Sequence, residues 1–328
     1  MPLAITTGST GFLGKHVIKK LVDRGWEVHA LHRESSSPHE IEALGAKPVA
    51  ADILHPMSLH KAIPLFPDAI FHMAGDTSQW KPKHQMQWDV NVLATDLIIE
   101  FAIGKRAKRL IHTSSIAAFG MHDQVIDENT PSNADQIGHH YSETKWVGES
   151  HVLQARKRGL DTVILNPGHI VGPGDTRNWV QLIQKIADQQ LPGIPSGSGN
   201  FIHVDDAAEA HVRAFESGID GERYLLGGDR ASFLEFIQIT QDLLGLKRSQ
   251  KSTPDWIFKT IEPLQRLISS ITGNEPTLTP EKILILTHQI QADDSKARKA
   301  FQMEFKPLRV AISDSIDWMR LEGMISQK

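Results

Sequence analysis

The 328-residue sequence contains no cysteine, only two tyrosines and no long uninterrupted apolar segment. Without cysteine, the chain can form no disulfide, no thiolate metal site and no cysteine nucleophile. Charged residues interrupt every long apolar stretch, for example residues 90–103, so we expect no membrane-spanning segment. The net charge of -4 predicts no general attraction to nucleic acid or to an anionic membrane.

The sequence also lacks a recognisable metal-binding pattern. It contains 17 histidines, but none lies in an H-E-x-x-H arrangement, and the adjacent His139 and His140 should point in different directions. We therefore expect no metal. The first residues read as a strand and leave no room for a signal peptide, so we expect a cytoplasmic protein. The length is sufficient for one large domain and a smaller one.

The N-terminus has the pattern of a strand, a glycine turn and a helix. The apolar residues 3–5 precede the turn, and an amphipathic helical pattern follows over 13–22. Gly8 permits a sharp bend, Gly11 permits a pyrophosphate to approach the main chain, and Gly14 permits the helix to pack closely on its strand. Free amides at the helix N-terminus would bind phosphates, so this stretch predicts a dinucleotide site.

A second motif, Y-S-E-T-K over residues 141–145, opens a helix that we expect to extend to about Arg158. Tyr141 and Lys145 are four residues apart and therefore share one face of a helix. A free tyrosine has a pKa of about 10, and a neighbouring ammonium should lower the pKa of the phenol towards the range useful for acid–base chemistry. We expect the other tyrosine, Tyr224, in a strand of the smaller domain, which leaves Tyr141 as the candidate acid.

The order of these motifs resembles the short-chain dehydrogenase/reductase superfamily. The G-x-x-G-x-x-G turn, a strand ending in T-S-S at residues 113–115 and the later Y-x-x-x-K follow one another as in its extended branch, the NAD-dependent epimerase/dehydratase family. Residues 166–173, N-P-G-H-I-V-G-P, are similar to the dihydroflavonol reductase-like branch.

This resemblance implies an α/β fold with a Rossmann-type, doubly wound parallel sheet and a smaller, discontinuous C-terminal substrate domain. The expected NADP-binding domain comprises residues 1–165 and about 200–220, and the expected substrate domain comprises about 166–199 and 221–328. Family members often pair the helix expected at 85–105 with the Tyr141 helix across a dimer, so a homodimer is expected.

The resemblance also implies cofactor contacts along the first half of the chain. Asp52 and Ile53 would touch the adenine, residues 73–75 would lie beside the pyrophosphate, and Lys145 would hold the nicotinamide ribose. The implied cofactor-binding residues are Gly8, Thr10, Gly11, Phe12, Leu13, Gly14, Arg33, Asp52, Ile53, Met73, Ala74, Gly75, Thr113, Tyr141, Lys145, Pro167 and Ile170.

The choice between NADP and NAD depends on the end of the second strand. An acidic residue there would bind the ribose hydroxyls of NAD, whereas an arginine would bind the 2′-phosphate of NADP. Arg33 lies nineteen residues beyond Gly14, close to the expected position, and His32 stands where epimerases usually carry aspartate. This favours NADP. NAD is the alternative if Arg33 is only a loop residue and Glu34 contacts the ribose.

The implied catalytic residues are Ser115, Tyr141 and Lys145. The family alignment places the serine that holds the substrate oxygen at Ser115, with Ser114 as the competitor. We therefore expect an enzyme that uses NADPH to reduce a ketone or aldehyde of a small molecule, with Tyr141 as the proton donor. Dehydration is disfavoured because Ile116 and Ala117 follow the serine, where sugar-nucleotide dehydratases carry an Asp-Glu pair nearby.

Two alternatives remain open from the sequence. An NAD-dependent nucleotide-sugar epimerase would share the first hydride transfer, and Lys247, Arg248 and Lys251 are available for a diphosphate although no motif places them at a pocket. A non-enzymatic NADP sensor is less favoured, because such proteins tend to lose the tyrosine or the lysine and both are present here.

Overall fold

The computed structural model describes residues 1–326, and its centre is a parallel sheet of seven strands. The described residues contain ten strands in two sheets: β1 Leu3–Thr7, β2 Glu27–His32, β3 Lys47–Ala50, β4 Ala69–His72, β5 Arg109–Thr113, β6 Thr162–Pro167, β7 His169–Val171, β8 Ser198–His203, β9 Glu222–Leu226 and β10 Asp229–Ser232. The sheet has the order β3-β2-β1-β4-β5-β6-β9, which runs outward from β1 and then reverses at β4. This is the doubly wound Rossmann-type order, so the predicted fold class is confirmed.

Helices cover both faces of this sheet. They are α1 Phe12–Asp23, α2 His39–Ala43, α3 Pro56–Ala62, α4 His84–Trp88, α5 Ala94–Gly104, α6 His140–Ala155, α7 Trp179–Ala187, α8 Val204–Ser217, α9 Phe233–Leu243, α10 Asp255–Thr272, α11 Pro280–Thr287, α12 Ser295–Phe301 and α13 Leu308–Leu321. Across the described residues, each helix is too short or too polar to cross a membrane.

The two faces of the sheet bury separate apolar clusters. One cluster packs α1, α8 and α12 against the sheet through residues such as Val17, Ile18 and Phe301. The other packs α3, α5 and α6 through residues such as Ile98 and Val152. Burial on both faces explains why the central strands are nearly continuous apolar runs rather than alternating patterns.

The smaller part of the molecule has a sheet and a core of its own. Its three strands have the order β10-β8-β7, and α7, α9 and α13 pack on them. Aromatic rings form much of this core, with the centroid of Trp179 lying 5.0 Å from that of Phe201 and 4.8 Å from that of Phe236.

Two boundaries differ from the sequence expectation. β9 is the seventh strand of the main sheet, so the expected start of the substrate domain at residue 221 is wrong. Tyr224 accordingly lies in the main sheet, fully buried, with its ring 4.7 Å from that of Phe301. Conversely, β8 pairs within the small sheet, although its Ile202 and the following helix α8 pack in the main core. Apolar patterning predicts a strand but does not specify which sheet it joins.

Candidate active site

The predicted cofactor residues follow the carboxyl ends of parallel strands, which meet at one edge of the main sheet. β1 leads into the glycine turn, β2 into Arg33, β3 into Asp52 and Ile53, and β4 into residues 73–75, while β6 ends at Pro167. Because the strand order reverses at this edge, it forms the crevice in which open α/β sheets bind ligands. The last member of the set, Ile170, is half-buried in β7, just beyond the end of β6.

Close main-chain packing shapes the glycine turn. Gly8 has a φ of +68°, and a Cβ at this residue would lie 2.8 Å from the main-chain nitrogen of Ala74. A Cβ on Gly14 would lie 2.2 Å from the Gly8 carbonyl oxygen, so α1 can approach the turn only without a side chain. Gly11 is the exposed N-cap of α1 and no side chain caps the helix, which leaves its first amides available to an anion. Three half-buried residues border the turn: Thr10, Phe12 and Leu13.

The residues expected at the adenosine end lie at the surface. Arg33 and Glu34 are both exposed, and the His32 ring nitrogen Nδ1 lies 3.0 Å from the Arg33 carbonyl oxygen. Asp52 is also exposed, but one of its carboxylate oxygens accepts a hydrogen bond from the amide of Leu54 at 2.9 Å. The Arg33 guanidinium is therefore accessible to a phosphate. In contrast, one carboxylate oxygen of Asp52 is already engaged in a hydrogen bond within its own turn.

The two serines after β5 have different surroundings. Ser114 is 4% exposed, and its hydroxyl has no hydrogen-bond partner. Ser115 is half-buried and caps the following 3-10 turn, with its Oγ accepting a hydrogen bond from the Ala117 amide at 3.1 Å. The Ser115 hydroxyl also lies beside the phenol of Tyr141, close enough to lower the pKa of that phenol. It is thus Ser115, not Ser114, that contacts Tyr141.

Tyr141 lies in the first turn of α6, and its surroundings raise its pKa. Burial is the largest cause of the rise; the neighbouring Ser115 hydroxyl opposes it, and the carboxylate of Asp76 adds to it. The expectation that Lys145 lowers the pKa of this phenol is therefore wrong for this structure. A phenol with a raised pKa keeps its proton near neutrality, which suits a proton donor better than a base.

Lys145 lies one turn further along α6 and is 5% exposed. Its Nζ donates a hydrogen bond to the carbonyl oxygen of Thr113 at 2.8 Å, and burial lowers its pKa to about 8, opposed by the charge of Glu149. A Cβ on Gly75 would lie 3.9 Å from Nζ, so the turn after β4 borders the ammonium. The Thr113 side chain instead bonds His211 at 2.8 Å, which leaves Thr113 facing the site through its main chain.

A chain of hydrogen bonds that the sequence analysis missed connects the glycine turn with this region. Thr7 Oγ1 lies 2.7 Å from His72 Nδ1, and His72 Nε2 lies 3.1 Å from Thr95 Oγ1. Since Thr95 donates to the carbonyl oxygen of Asn91 at 2.8 Å, its hydroxyl accepts from His72, and Thr7 must donate to Nδ1. Burial lowers the pKa of His72 to about 3, so the ring is neutral. Its two partners are 65 and 23 residues away in sequence, and no local pattern indicates them.

Asn91 connects the turn after β4 to α6. Its Oδ1 accepts from the Asp76 amide at 2.8 Å, and its Nδ2 donates to the Asp76 carbonyl at 2.9 Å and to Thr144 Oγ1 at 3.0 Å. Asn91 lies in a π-helical turn, Asp89–Leu93, that joins α4 to α5 within the stretch predicted as one regular helix. Such turns are frequent at functional sites.

The two histidines before Tyr141 have structural partners. His139 is 1% exposed, and its Nδ1 accepts from the amide of Ser142 at 3.3 Å. The ring of His140 stacks on that of His84 at a centroid distance of 4.0 Å. His84 Nε2 lies 2.9 Å from Glu281 Oε1 in α11, so α11 is connected through His84 to the start of α6.

These features fit a nicotinamide dinucleotide. The uncapped start of α1 and the tight glycine turn provide amides for a pyrophosphate. A Cβ on Gly75 would make only ordinary contacts with Asn91 and Lys145, so protein packing does not require glycine there. The missing side chain leaves room beside the Lys145 ammonium for a ligand.

Comparison with known proteins gives matches along nearly the whole chain. The ketoreductase of 4-hydroxy-2-methyl-3-oxo-4-farnesyl-3,4-dihydroquinoline-1-oxide from Stigmatella aurantiaca is 28% identical and the match covers 98% of this chain and 96% of that protein. Sterol demethylase protein B of Methylococcus capsulatus is also 28% identical, over 98% of this chain and 99% of its own. The crystal structure of gox2253 has a TM-score of 0.85 at 28% identity, covering 99% of this chain and 100% of that chain.

A family model matches residues 4–227, well over half of the chain. The matched region begins in β1, includes the glycine turn, Ser115, Tyr141 and Lys145, and ends after β9. The family comprises NAD(P)-dependent enzymes, and its fold and motif order agree with the site described above. The chain therefore belongs to the NAD-dependent epimerase/dehydratase family, the extended branch of the short-chain dehydrogenases/reductases.

Proposed function

We propose that the protein is an NADPH-dependent reductase that converts a ketone or aldehyde of a small molecule to an alcohol, with Tyr141 as the proton donor. The observation that carries this proposal is the position of the Ser115 hydroxyl beside the Tyr141 phenol, one helical turn from the buried ammonium of Lys145. Two hydroxyls and an ammonium on neighbouring elements form a site that can hold and protonate one oxygen atom.

Each of the three side chains has a defined part in the proposed reaction. The Ser115 oxygen accepts a hydrogen bond from the Ala117 amide, and its O–H, which lies beside the Tyr141 phenol in this structure, would donate to the substrate carbonyl oxygen. Tyr141, whose pKa is raised, donates its proton to the same oxygen as this becomes an alcohol. NADPH, when bound, supplies the hydride to the carbonyl carbon. Lys145 would orient the nicotinamide ribose through its ammonium.

The preference for NADPH is proposed from the end of β2. The exposed guanidinium of Arg33 is accessible to a 2′-phosphate, and a guanidinium binds phosphate through parallel hydrogen bonds. The neighbouring Glu34 is equally exposed and would instead favour the free ribose hydroxyls of NAD. Arg33 precedes Glu34 at the strand end, so we assign the contact to Arg33.

The names of similar proteins support a ketone on a largely apolar body as substrate. One relative is a ketoreductase of a farnesylated dihydroquinoline oxide, and another is a sterol demethylase protein. Both names refer to compounds with large apolar frameworks. The nucleotide-sugar alternative requires a diphosphate site, which the contacts described around Tyr141 do not provide.

Cofactor identity is the test of this proposal. The purified protein is denatured, the released nucleotide is assayed, and the emptied protein is titrated with NADPH and NADH. We expect a dissociable cofactor, tighter binding of NADPH, and NADPH oxidation with a panel of apolar ketones and aldehydes. Stoichiometric release of NAD, with weak NADPH binding, would overturn the reductase assignment and favour the epimerase.

Two neighbouring substitutions identify the residue that selects the cofactor. Arg33→Asp should shift the preference from NADPH towards NADH by roughly tenfold or more, since it removes one charged contact of about 1.4 kcal/mol. Glu34→Gln is the matched control and should leave the preference unchanged. The opposite result for the pair would assign ribose recognition to Glu34.

A further inference from the structure

Helix α10 carries its most apolar face away from the protein. Six large apolar residues of this helix are between 38% and 79% exposed: Trp256, Ile261, Leu264, Leu267, Ile268 and Ile271. At 100° per residue, their Cα positions fall within a single arc of about 140° around the helix axis. They therefore form one continuous stripe rather than scattered surface residues, which would need no explanation.

The inner face of the same helix is more polar than its outer face. Phe258 is buried against the protein, but so are Glu262 and Ser269, each 8% exposed. One carboxylate oxygen of Glu262 has no hydrogen-bond partner, and the nearest cation, Arg266, lies 3.5 Å away. A helix that packs on a core by itself would have the reverse arrangement. Within residues 1–326, nothing covers the outward stripe.

The surroundings of the stripe are positively charged although the chain as a whole is negative. Residues 245–274 contain two carboxylates, Asp255 and Glu262, and five cationic side chains, all exposed: Lys247, Arg248, Lys251, Lys259 and Arg266. Arg266 lies 3.5 Å from the Glu262 carboxylate and Arg248 lies 3.8 Å from that of Asp242, whereas the three lysines form no ion pair within residues 1–326. The local balance is thus about +3, against -4 for the chain.

We propose that α10 is an interfacial anchor that inserts its outward apolar stripe into the surface of an anionic membrane. An apolar stripe flanked by lysine and arginine is the pattern of helices that lie in the plane of a lipid surface, and Trp256 is the residue type favoured at the headgroup level. The net charge of the whole chain predicted no attraction to such a surface, because the negative total does not reveal the positive stretch at residues 245–274.

A second copy of the chain fits the stripe less well. Two copies that met through α10 would each bring Lys259 and Arg266, together with the preceding basic residues, against the same charges of the other. Like charges across an interface oppose association, whereas anionic headgroups neutralise them. The apolar stripe and the positive charge therefore both favour an anionic membrane surface over a second copy of the chain.

The anchor would also place the candidate active site near the lipid. α11 follows α10 in the chain, and its Glu281 contacts His84, whose ring stacks on that of His140, the residue before Tyr141. Glu275, in the connection between α10 and α11, pairs with Lys83 at 2.9 Å. These contacts couple the membrane-facing segment to the catalytic helix and do not depend on the reaction that the site catalyses.

The test is sedimentation of the full-length protein with vesicles of phosphatidylcholine, either alone or with about one third phosphatidylglycerol. We expect binding to the anionic vesicles and little to the neutral ones. Leu267→Glu should weaken binding to the vesicles by at least about tenfold, since a charge replaces an apolar side chain that would be buried in the lipid. Val125→Glu, at an equally exposed apolar residue far from α10 in sequence, is the matched control and should bind like the wild type.

Circular dichroism and NADPH titration establish that each variant is folded before binding is compared. Failure of the wild type to bind either kind of vesicle would overturn the proposal. Equal binding to both vesicles, unaffected by Lys259→Glu, would overturn the role of charge. A concentration-dependent dimer that Leu267→Glu dissociates would show that a second copy covers the stripe, and would also overturn it.

Discussion

The main sheet and helix α10 use the same kinds of apolar residues in opposite ways. In β6, all six residues are buried, and each face of the strand packs against a helical layer of the same chain. In α10, six large apolar residues are exposed, and two polar ones are buried. The sheet therefore contains its own packing partners, whereas α10 requires one from elsewhere. The main sheet and its helices are thus packed by the chain itself, whereas the outward face of α10 is suited to contact with something outside the chain.

Substitution of the proposed proton donor should have the largest effect on activity. It tests whether the reaction takes place at the site formed by the main sheet and α6. Tyr141→Phe removes the proton that would be donated to the substrate oxygen, so kcat should fall by roughly 10²–10⁴-fold while the Kd for NADPH is retained. Steady-state kinetics with a water-soluble ketone and a cofactor titration measure both quantities. Leu267→Glu in α10 should leave kcat for that ketone unchanged. Retained turnover in Tyr141→Phe would remove this residue from the acid role.

The adjacent serines provide a sharper test of the same framework. Ser115→Ala deletes a donor to the substrate oxygen, so kcat should fall by roughly 10²–10³-fold. Ser114→Ala is the matched control; its hydroxyl has no hydrogen-bond partner, and its removal should cost little. The kinetics of the two variants with the same substrate decide between them. If Ser114→Ala were the more damaged enzyme, the register of the site would be wrong by one residue.

A pair of identical substitutions compares the two regions by stability. Ile164→Ala creates a cavity in β6, where Ile164 is fully buried, and should lower the free energy of unfolding by about 2–5 kcal/mol. Ile268→Ala, at a residue 52% exposed in α10, should change it by less than about 0.5 kcal/mol. Urea unfolding of the lipid-free protein measures both. A large loss for Ile268→Ala would mean that α10 is already covered and would abolish the contrast.

The smallest expected effect concerns the pH dependence of stability. Burial lowers the pKa of Lys145 to about 8, below its ordinary value of about 10.4, so the unfolded chain binds more protons than the folded one between these values. Stability from this group should therefore rise as the pH increases from 8 towards 10.4, by at most about 1.4 kcal/mol per pH unit. Urea unfolding across this range measures the slope.

Two variants isolate the contribution of Lys145 to that slope. Lys145→Met removes the titrating group and should flatten the rise relative to the wild type. Lys259→Met, at an exposed lysine of α10, is the matched control and should keep the slope of the wild type. An equal slope in Lys145→Met would show that other groups cause it.

The elements predicted well from the sequence are those specified by neighbouring residues. The glycine turn, the strands of the N-terminal half and α6 follow from local spacing and periodicity, and the structure contains them within a few residues of the expected bounds. β9 was assigned to the wrong domain because its apolar pattern predicts a strand but does not indicate that this strand pairs with β6.

Prediction of the site was limited for a similar reason. Spacing places Tyr141 and Lys145 on one face of a helix, but it does not reveal that the Thr113 carbonyl binds the ammonium or that burial dominates the pKa of the phenol. The bonds of His72 to Thr7 and Thr95 join distant parts of the chain and leave no local pattern. Long-range contacts of this kind become visible only in three dimensions.

The position of β9 in the sheet also determines how long one edge of β6 stays unpaired while the chain is synthesised. β6 lies between β5 and β9, so it has a free edge until residue 226 is available to pair with it. At about 5–20 residues per second, the ribosome needs roughly 3–12 s to extend the chain from residue 167 to residue 226. During that interval a strand that is fully buried in the folded protein has unpaired main-chain groups along one edge, which is the condition that promotes aggregation. We therefore expect fragments that end before β9 to aggregate, because they lack the strand that covers this edge of β6.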